Sequence, residues 1–486
     1  MMPDGIELPE IIQGGMGVGV SNWRLARAVS SCGQLGVVSG TLLDTLLVRR
    51  LQDGDAGGHV RRAMEQFPIP GVAAAVLKRY FLPEGRAAGT PYRMLPMHRQ
   101  SMPRMRLQII MLAGFVEVFL AREGHGGRVG INLLTKIQLP NLATLYGAML
   151  AGVDAVLMGA GIPREIPGAL DALAGHRRAV LRFEVEGLPA GKSEEVTLEP
   201  SDHWGDVPPP PLRRPHFLAI IASSSLATML VRKANGRVDG FVVEGPTAGG
   251  HNAPPRGPLT LSPRGEPVYG ARDVVDLEQL RQLGVPFWLA GGAGSPEALQ
   301  EARRAGAAGI QVGTLFAYAE ESGIAEGYRR SILGHVGRGE VEVFTDPLAS
   351  PTGYPFKVVR WPDDPAAGGT APRQRTCDLG LLRTAHQAPD GRITYRCPAE
   401  PVDAWVRKGG AIEDTDGRRC LCNSLLADVG HAQVREDGAT EPPLITSGDD
   451  LIRIGGFLGA RTSYTAAEVI GYLLGAGSGA PAGLEA

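Results

Sequence analysis

The residue types best suited to chemistry gather in one stretch, Phe241-Val-Val-Glu-Gly-Pro-Thr-Ala-Gly-Gly-His251. A short apolar run, Phe241 to Val243, reads as a buried strand bounded by turn residues. Gly249 and Gly250 then let the backbone approach a ligand closely, because no Cβ stands in the way. His251 closes the turn at the strand's carboxyl end, where an imidazole can act as a general base near neutral pH. Thr247 and Asn252 are its candidate neighbours.

Two other turns suit an anion. Gly291-Gly292-Ala-Gly294 and Gly313-Thr314 each follow an apolar run and precede a helical pattern. Backbone N–H groups at a helix N-terminus attract a dianionic phosphate without a dedicated cation. The two turns lie one strand–helix unit apart, which predicts a split phosphate site. Gln13-Gly14-Gly15-Met16 adds backbone amides and a thioether that can pack on a flat ring or fill a core. The Asn132 amide can pair with a heterocycle's edge or cap the turn that follows it.

Five cysteines are unevenly spread: Cys32 alone, then Cys377, Cys397, Cys420 and Cys422 within one C-terminal stretch. Their odd number argues against a secreted disulfide framework. Four thiolates with a CxC pair can bind a tetrahedral metal, so structural zinc is expected there. An iron–sulfur cluster and buried free thiols are the alternatives. Nothing in the sequence brings these sulfurs near the glycine turns.

The elements that must position these residues are legible as a rhythm. Strand-like runs at 8–13, 35–39, 129–134, 155–158, 217–222, 241–243, 287–289 and 309–312 are each followed by a helix or helical region. Such alternation implies a parallel sheet covered by helices. Glycine or a polar residue follows nearly every strand: Gly15, Ser39, Asn132, Gly159, Ser223, Gly245, Gly291 and Gly313. In a (β/α)₈ TIM barrel these positions converge on one mouth, whereas an open sheet gathers only a few of them. The expectation is an α/β protein: a barrel domain over 1–334, interrupted by insertions at about 54–106 and 180–214, and a cysteine-containing C-terminal extension over 335–486. The extension carries a Pro/Gly-rich patch at 362–369 and a last helix near 464–474 capped by Thr465.

The composition excludes several classes. A net charge of −2 gives no basic footprint for nucleic acid, and 6% aromatic residues give no base-stacking platform. No apolar run approaches the ~20 residues that span a bilayer. The first eight residues lack the basic and apolar regions of a secretory leader, so a cytoplasmic location is expected, with no membrane partner. A homodimer is compatible with this composition.

Ile11-Ile-Gln-Gly-Gly-Met16, Gly130-Ile-Asn132, Glu244-Gly-Pro-Thr-Ala-Gly-Gly-His251, Ala290-Gly-Gly292 and Val312-Gly-Thr314 fall in the order seen in nitronate monooxygenases, formerly called 2-nitropropane dioxygenases. The chain resembles that family over about residues 8–320. The resemblance implies an enzyme that binds FMN non-covalently and oxidises alkyl nitronates with dioxygen. It implies that Gly15, Met16, Asn132, Gly249 and Gly250 line the flavin, that Gly291, Gly292, Gly313 and Thr314 hold its phosphate, and that His251 is catalytic. Many members carry a basic residue after the fifth strand; here Ala222-Ser-Ser-Ser225 stands there, so Ser223 takes that place at the cofactor, with Arg256 as a source of compensating charge. The same motifs resemble FMN-dependent enoyl-acyl-carrier-protein reductases, which implies an alternative: an NAD(P)H-using reductase acting in trans on a carrier protein.

Overall fold

The computed structural model describes residues 8–366 and 374–475. Residues 1–7, read above for a leader, and the end of the 362–369 patch lie outside the described residues. Eight parallel strands form the central sheet: β1 (Ile11–Gln13), β2 (Gly36–Ser39), β3 (Val129–Leu134), β4 (Ala155–Gly159), β5 (His216–Ile221), β6 (Gly240–Glu244), β7 (Phe287–Ala290) and β8 (Gly309–Val312). β1 pairs with β8 in register Ile11 to Ile310, and a bridge between Ile12 and Leu35 joins β1 to the start of β2. The sheet thus curls into the expected barrel, with each strand within a few residues of its predicted place.

Alternation along the strands fills the barrel. Ile12, Val37, Leu157, Leu218, Val242 and Trp288 point inward and pack into one buried cluster. Trp288 donates its indole N–H to the Pro9 carbonyl at 3.0 Å, so the largest plug is also hydrogen-bonded. At the amino end of the strands two buried carboxylates tie the frame. Asp154 accepts the Val129 N–H at 2.9 Å and pairs with Arg122, Arg128 and Arg213. Asp239 accepts the Phe217 N–H at 2.7 Å and pairs with Arg214 at 2.6 Å. Charges at this face hold strands together; the opposite face is left for chemistry.

Two features depart from the sequence pattern. The helix Arg104–Arg122 is buried on nearly every side, so it has no apolar stripe to betray it. The excursion over 180–214 is not merely polar surface. Ala179–Phe183 and Glu194–Leu198 form an antiparallel pair whose Leu181, Phe183, Val196 and Leu198 are buried, while the proline run 208–211 stays mostly exposed. The first insertion holds helices His59–Glu65 and Val72–Tyr80, as its mixed helical pattern predicts.

The extension is built of two hairpins and several helices. Glu342–Asp346 pairs with Phe356–Arg360, and Thr384–Gln387 pairs with Ile393–Arg396. The second hairpin also accepts Val185–Glu186 of the insertion as a parallel edge. Helices Leu421–Asp428, Asp450–Leu458 and Ala466–Leu473 follow, the last with the capping box of Thr465 and Glu468. Val359, Leu426, Ile445 and Ile470 share one hydrophobic core with the barrel helices, so the extension is packed on the barrel rather than tethered to it.

Helices Arg104–Arg122 and Gln138–Leu150 cross at glycine. A Cβ on Gly147 would stand 1.9 Å from the Met111 carbonyl oxygen, and one on Gly114 would stand 2.6 Å from that of Thr144. Gly147→Ala must push two buried helices apart, and overpacking of this kind costs about 1–3 kcal/mol. Urea unfolding should show that loss in midpoint with little change in slope.

Candidate active site

The carboxyl ends of the strands open into a cavity of about 210 Å³. Its floor begins with the β1 turn. The Gln13 side chain accepts the Val37 N–H at 3.0 Å and donates to Ser21 Oγ at 2.9 Å, and Ser21 Oγ accepts the Met16 N–H at 2.9 Å. These bonds freeze the loop from Gly14 to Met16. Gly15 is obligatory, since a Cβ there would lie 2.3 Å from Asn132 Cβ. Asn132 donates to the Gly15 carbonyl at 2.9 Å, and its Oδ1 is buried without a partner. Gln311 on β8 also lines the cavity with an unpartnered, buried Oε1.

The phosphate turns stand side by side. Gly291 and Gly292 have φ of +87° and +68°, a region that favours glycine. A Cβ on Gly291 would meet the Ala248 nitrogen and Thr247 Oγ1 at 3.0 Å, so the turns after β6 and β7 touch. A Cβ on Gly313 would sit 3.3 Å from the Met16 sulfur, which joins the β8 turn to β1. Thus Gly15, Met16, Asn132, Gly249, Gly250, His251, Gly291, Gly292, Gly313 and Thr314 all line the one cavity, and Thr247 lines it with them.

Other expected residues stand elsewhere. Ser223 lines a side cleft rather than this cavity; its Oγ accepts the Leu226 N–H at 3.1 Å and caps helix Ser224–Lys233. A serine before an apolar helix is consumed as a cap. Arg256 reaches the end of β5 and donates to the Ala222 carbonyl at 2.8 Å, so cationic charge does stand at that strand end. Asn252 is buried and donates to the Ala248 carbonyl at 3.0 Å, bracing the histidine turn from behind.

The His251 ring is held tightly. Its Nε2 is 2.7 Å from Ser350 Oγ, its backbone bridges to Phe356, and the Phe356 ring packs edge-on at 4.8 Å between centroids. Burial, with help from the nearby Lys136, lowers its pKa to about 3. Burial also lowers Lys136, which lies over the Tyr354 ring, to about 7. His251 is therefore neutral at pH 7 and a weak base, a setting unlike the neutral-range base its position in the turn suggests.

One part of the site escaped the sequence reading. Thr446 to Asp450 of the extension thread between the glycine turns. Gly250 N–H donates to Thr446 Oγ1 at 2.8 Å, Gly448 N–H to Thr314 Oγ1 at 3.0 Å, and Gly294 N–H to Asp450 Oδ2 at 3.1 Å. Asp449 N–H reaches the Thr247 carbonyl at 3.0 Å, and its carboxylate pairs with Lys357 at 2.6 Å. The available signal was Thr446-Ser-Gly-Asp-Asp450 ahead of an apolar helix, a turn-and-cap pattern with no hint of its distant partner.

The four C-terminal cysteines do converge. Cys377, Cys397, Cys420 and Cys422 line one small cavity of about 10 Å³, and Cys422 also borders the central cavity. All are free thiols, and burial pushes Cys377 up to about 11 and Cys397 to about 12. Among the described residues no group of three or more His, Cys, Asp or Glu side chains is set to hold a metal ion. Binding a metal would itself remove these protons, so the raised values describe the metal-free thiols, and the expected zinc is not shown.

The nitronate monooxygenase family model matches residues 207–342. The match covers little more than a quarter of the chain and marks a likeness to this family over that stretch. The stretch runs from ahead of β5 to beyond β8, so it includes the His251 turn and both glycine turns expected to hold phosphate. Among solved structures, FabK from Thermotoga maritima is similar with 16% identity and a TM-score of 0.44, covering 96% of this chain and 92% of its own. Nitroalkane oxidase from Streptomyces ansochromogenes is similar with 14% identity and a TM-score of 0.43, covering 98% and 95%. The enoyl reductase domain of MlnA from Bacillus amyloliquefaciens has 11% identity and a TM-score of 0.36, covering 72% and 63%. No curated protein matches the sequence significantly.

The residues present fit a flavin mononucleotide. Asn132 Oδ1 and Gln311 Oε1 are buried acceptors in want of donors, and a flavin ring carries an N–H. Gly291, Gly292, Gly313 and Thr314 offer a glycine-rich cradle beside two helix starts for its phosphate. Among the described residues no helix is long and apolar enough to cross a membrane.

Gly249 tests the threaded segment. A Cβ there would stand 2.7 Å from the Gly448 nitrogen, so Gly249→Ala should displace 446–450 from the cradle. Flavin affinity should fall about tenfold or more, a loss of about 1.4 kcal/mol, in a fluorescence titration of the apoprotein.

Proposed function

We propose that the protein oxidises alkyl nitronates with dioxygen, using FMN held in the central cavity. His251 carries this reading: a neutral imidazole in the cavity wall, fixed by Ser350 and Phe356, with Lys136 close by. A nitronate is an anion with charge on its oxygens. An imidazole N–H stabilises such an oxygen without having to give up its proton. With Lys136 lowered to about 7, a share of these side chains is cationic at neutral pH and attracts the anion. Segments 350–356 and 445–450 remove water, which strengthens both interactions. FMN, when bound, supplies the electron transfer and the reaction with oxygen. The chain orients the substrate and holds the charge.

A second reading is favoured by one observation. The wall supplied by the extension includes Leu381, Leu382, Leu421, Leu425 and Ile445, an apolar face suited to an aliphatic chain. NAD(P)H-driven reduction of an enoyl thioester on a carrier protein would use that face.

Anaerobic stopped-flow separates the two. Mixing the FMN-loaded protein with an alkyl nitronate should bleach the flavin faster than NADPH does; rapid bleaching by NADPH alone would transfer the assignment to the reductase. Removing a donor that stabilises an oxyanion costs about 10²–10³-fold in kcat, so His251→Ala should lose about that much with preformed nitronate. Flavin content should be unchanged, since Gly249 and Gly250 remain.

A further inference from the structure

Glu244 is the last residue of β6, and its side chain borders two spaces at once. One is the central cavity. The other is a side cleft of about 200 Å³ walled by Ser223, Arg256, Tyr269 and Asp273. The Glu244 carboxyl has no hydrogen-bond or ion-pair partner among the described residues. The other acids of the cavity wall are engaged: Asp428 Oδ1 accepts the Leu444 N–H at 2.8 Å, and Asp450 Oδ2 accepts that of Gly294. A half-buried carboxyl left without a partner between two cavities is poorly placed for stability, and an acid kept that way at a barrel mouth calls for a chemical role.

The groups that face it leave it free. Across the side cleft, Arg256 is turned to the Ala222 carbonyl, Asp273 accepts the N–H groups of Arg256 and Gly270, and the Tyr269 hydroxyl donates to the Ala253 carbonyl. Across the central cavity stands neutral His251, with Lys136 near enough to act on its charge, and Asp428 and Asp450 from the extension. Desolvation alone raises Glu244 to about 7, so both of its forms are populated at neutral pH.

We infer that Glu244 is the proton acceptor of this site, taking the α-proton of a bound neutral nitroalkane and releasing it to solvent through the side cleft. The inference rests on the nitronate reading. In the step the Cα–H bond breaks and its electron pair becomes the C=N bond. A nitro N–O π pair moves onto oxygen, and the proton ends on the carboxylate. The nitronate so formed is the substrate that His251 and Lys136 receive.

Glu244→Gln is the test. It should lower turnover of a neutral nitroalkane about 10²–10⁴-fold, and of preformed nitronate by at least about tenfold less. In the wild type the nitroalkane rate should rise with pH through about 7 as the carboxyl ionises, and the variant should lose that rise. Glu244→Asp, which keeps a carboxyl, should restore a pH-dependent rate. Infrared titration of the apoprotein gives an independent readout: a protonated-carboxyl component that fades near pH 7 in the wild type and is lost in Glu244→Gln, leaving the component of Asp428, which burial raises to about 8. Equal losses on both substrates, or an unchanged pH profile, would overturn the inference. A wild-type protein inert to both substrates would instead remove the nitronate reading, and the infrared band would still decide whether Glu244 titrates there.

Discussion

Ionisable groups lose hydration where the extension closes over the barrel mouth, and the chain replaces it for only some of them. Asp450 receives a backbone N–H, as does Asp428, and Asp449 receives Lys357. His251 receives a hydroxyl and an aromatic wall, and Glu244 receives nothing. The same withdrawal of water drives an imidazole down and a carboxyl up, because each is pushed toward its neutral form. The two groups then differ at neutral pH: the imidazole stays neutral, and the carboxyl is present in both of its forms.

This division alters the role that the order of residues suggests for His251. A histidine after a glycine turn reads as a base because its unperturbed pKa is near 7. That inference holds only while the ring sees solvent, and Ser350 and Phe356, about a hundred residues downstream, take the solvent away. Glu244 went unremarked for the complementary reason. A carboxyl at a strand end looks like a solvated turn residue until its isolation is seen.

The barrel was legible because its signals are local. Alternating apolar runs mark strands, turn glycines mark their ends, and caps such as Asn22, Ser295 and Thr465 mark helix starts. Ten lining residues followed from those turns. Helix Arg104–Arg122 stayed hidden because burial on all sides erases the stripe that period analysis needs. Ser223 misled because a hydroxyl after a strand serves a ligand or a helix cap equally well, and only its geometry chooses. Thr446 to Asp450 were invisible as site residues because their meaning lies in partners up to two hundred positions away. The convergence of four cysteines on one cavity, by contrast, follows the clustering and the Cys420–Cys422 pair seen in the sequence.

The threading of 446–450 through the cradle also fixes an order of events. Chains emerge from the ribosome amino end first, and domains tend to fold as units as they appear. Every barrel strand and both phosphate turns are made before residue 313 is passed, yet Gly250, Gly294 and Thr314 keep unclosed hydrogen bonds until residue 450 is added. During that interval the mouth lacks the roof that 446–450 supply, and the arrival of that segment ties the turns after three different strands together.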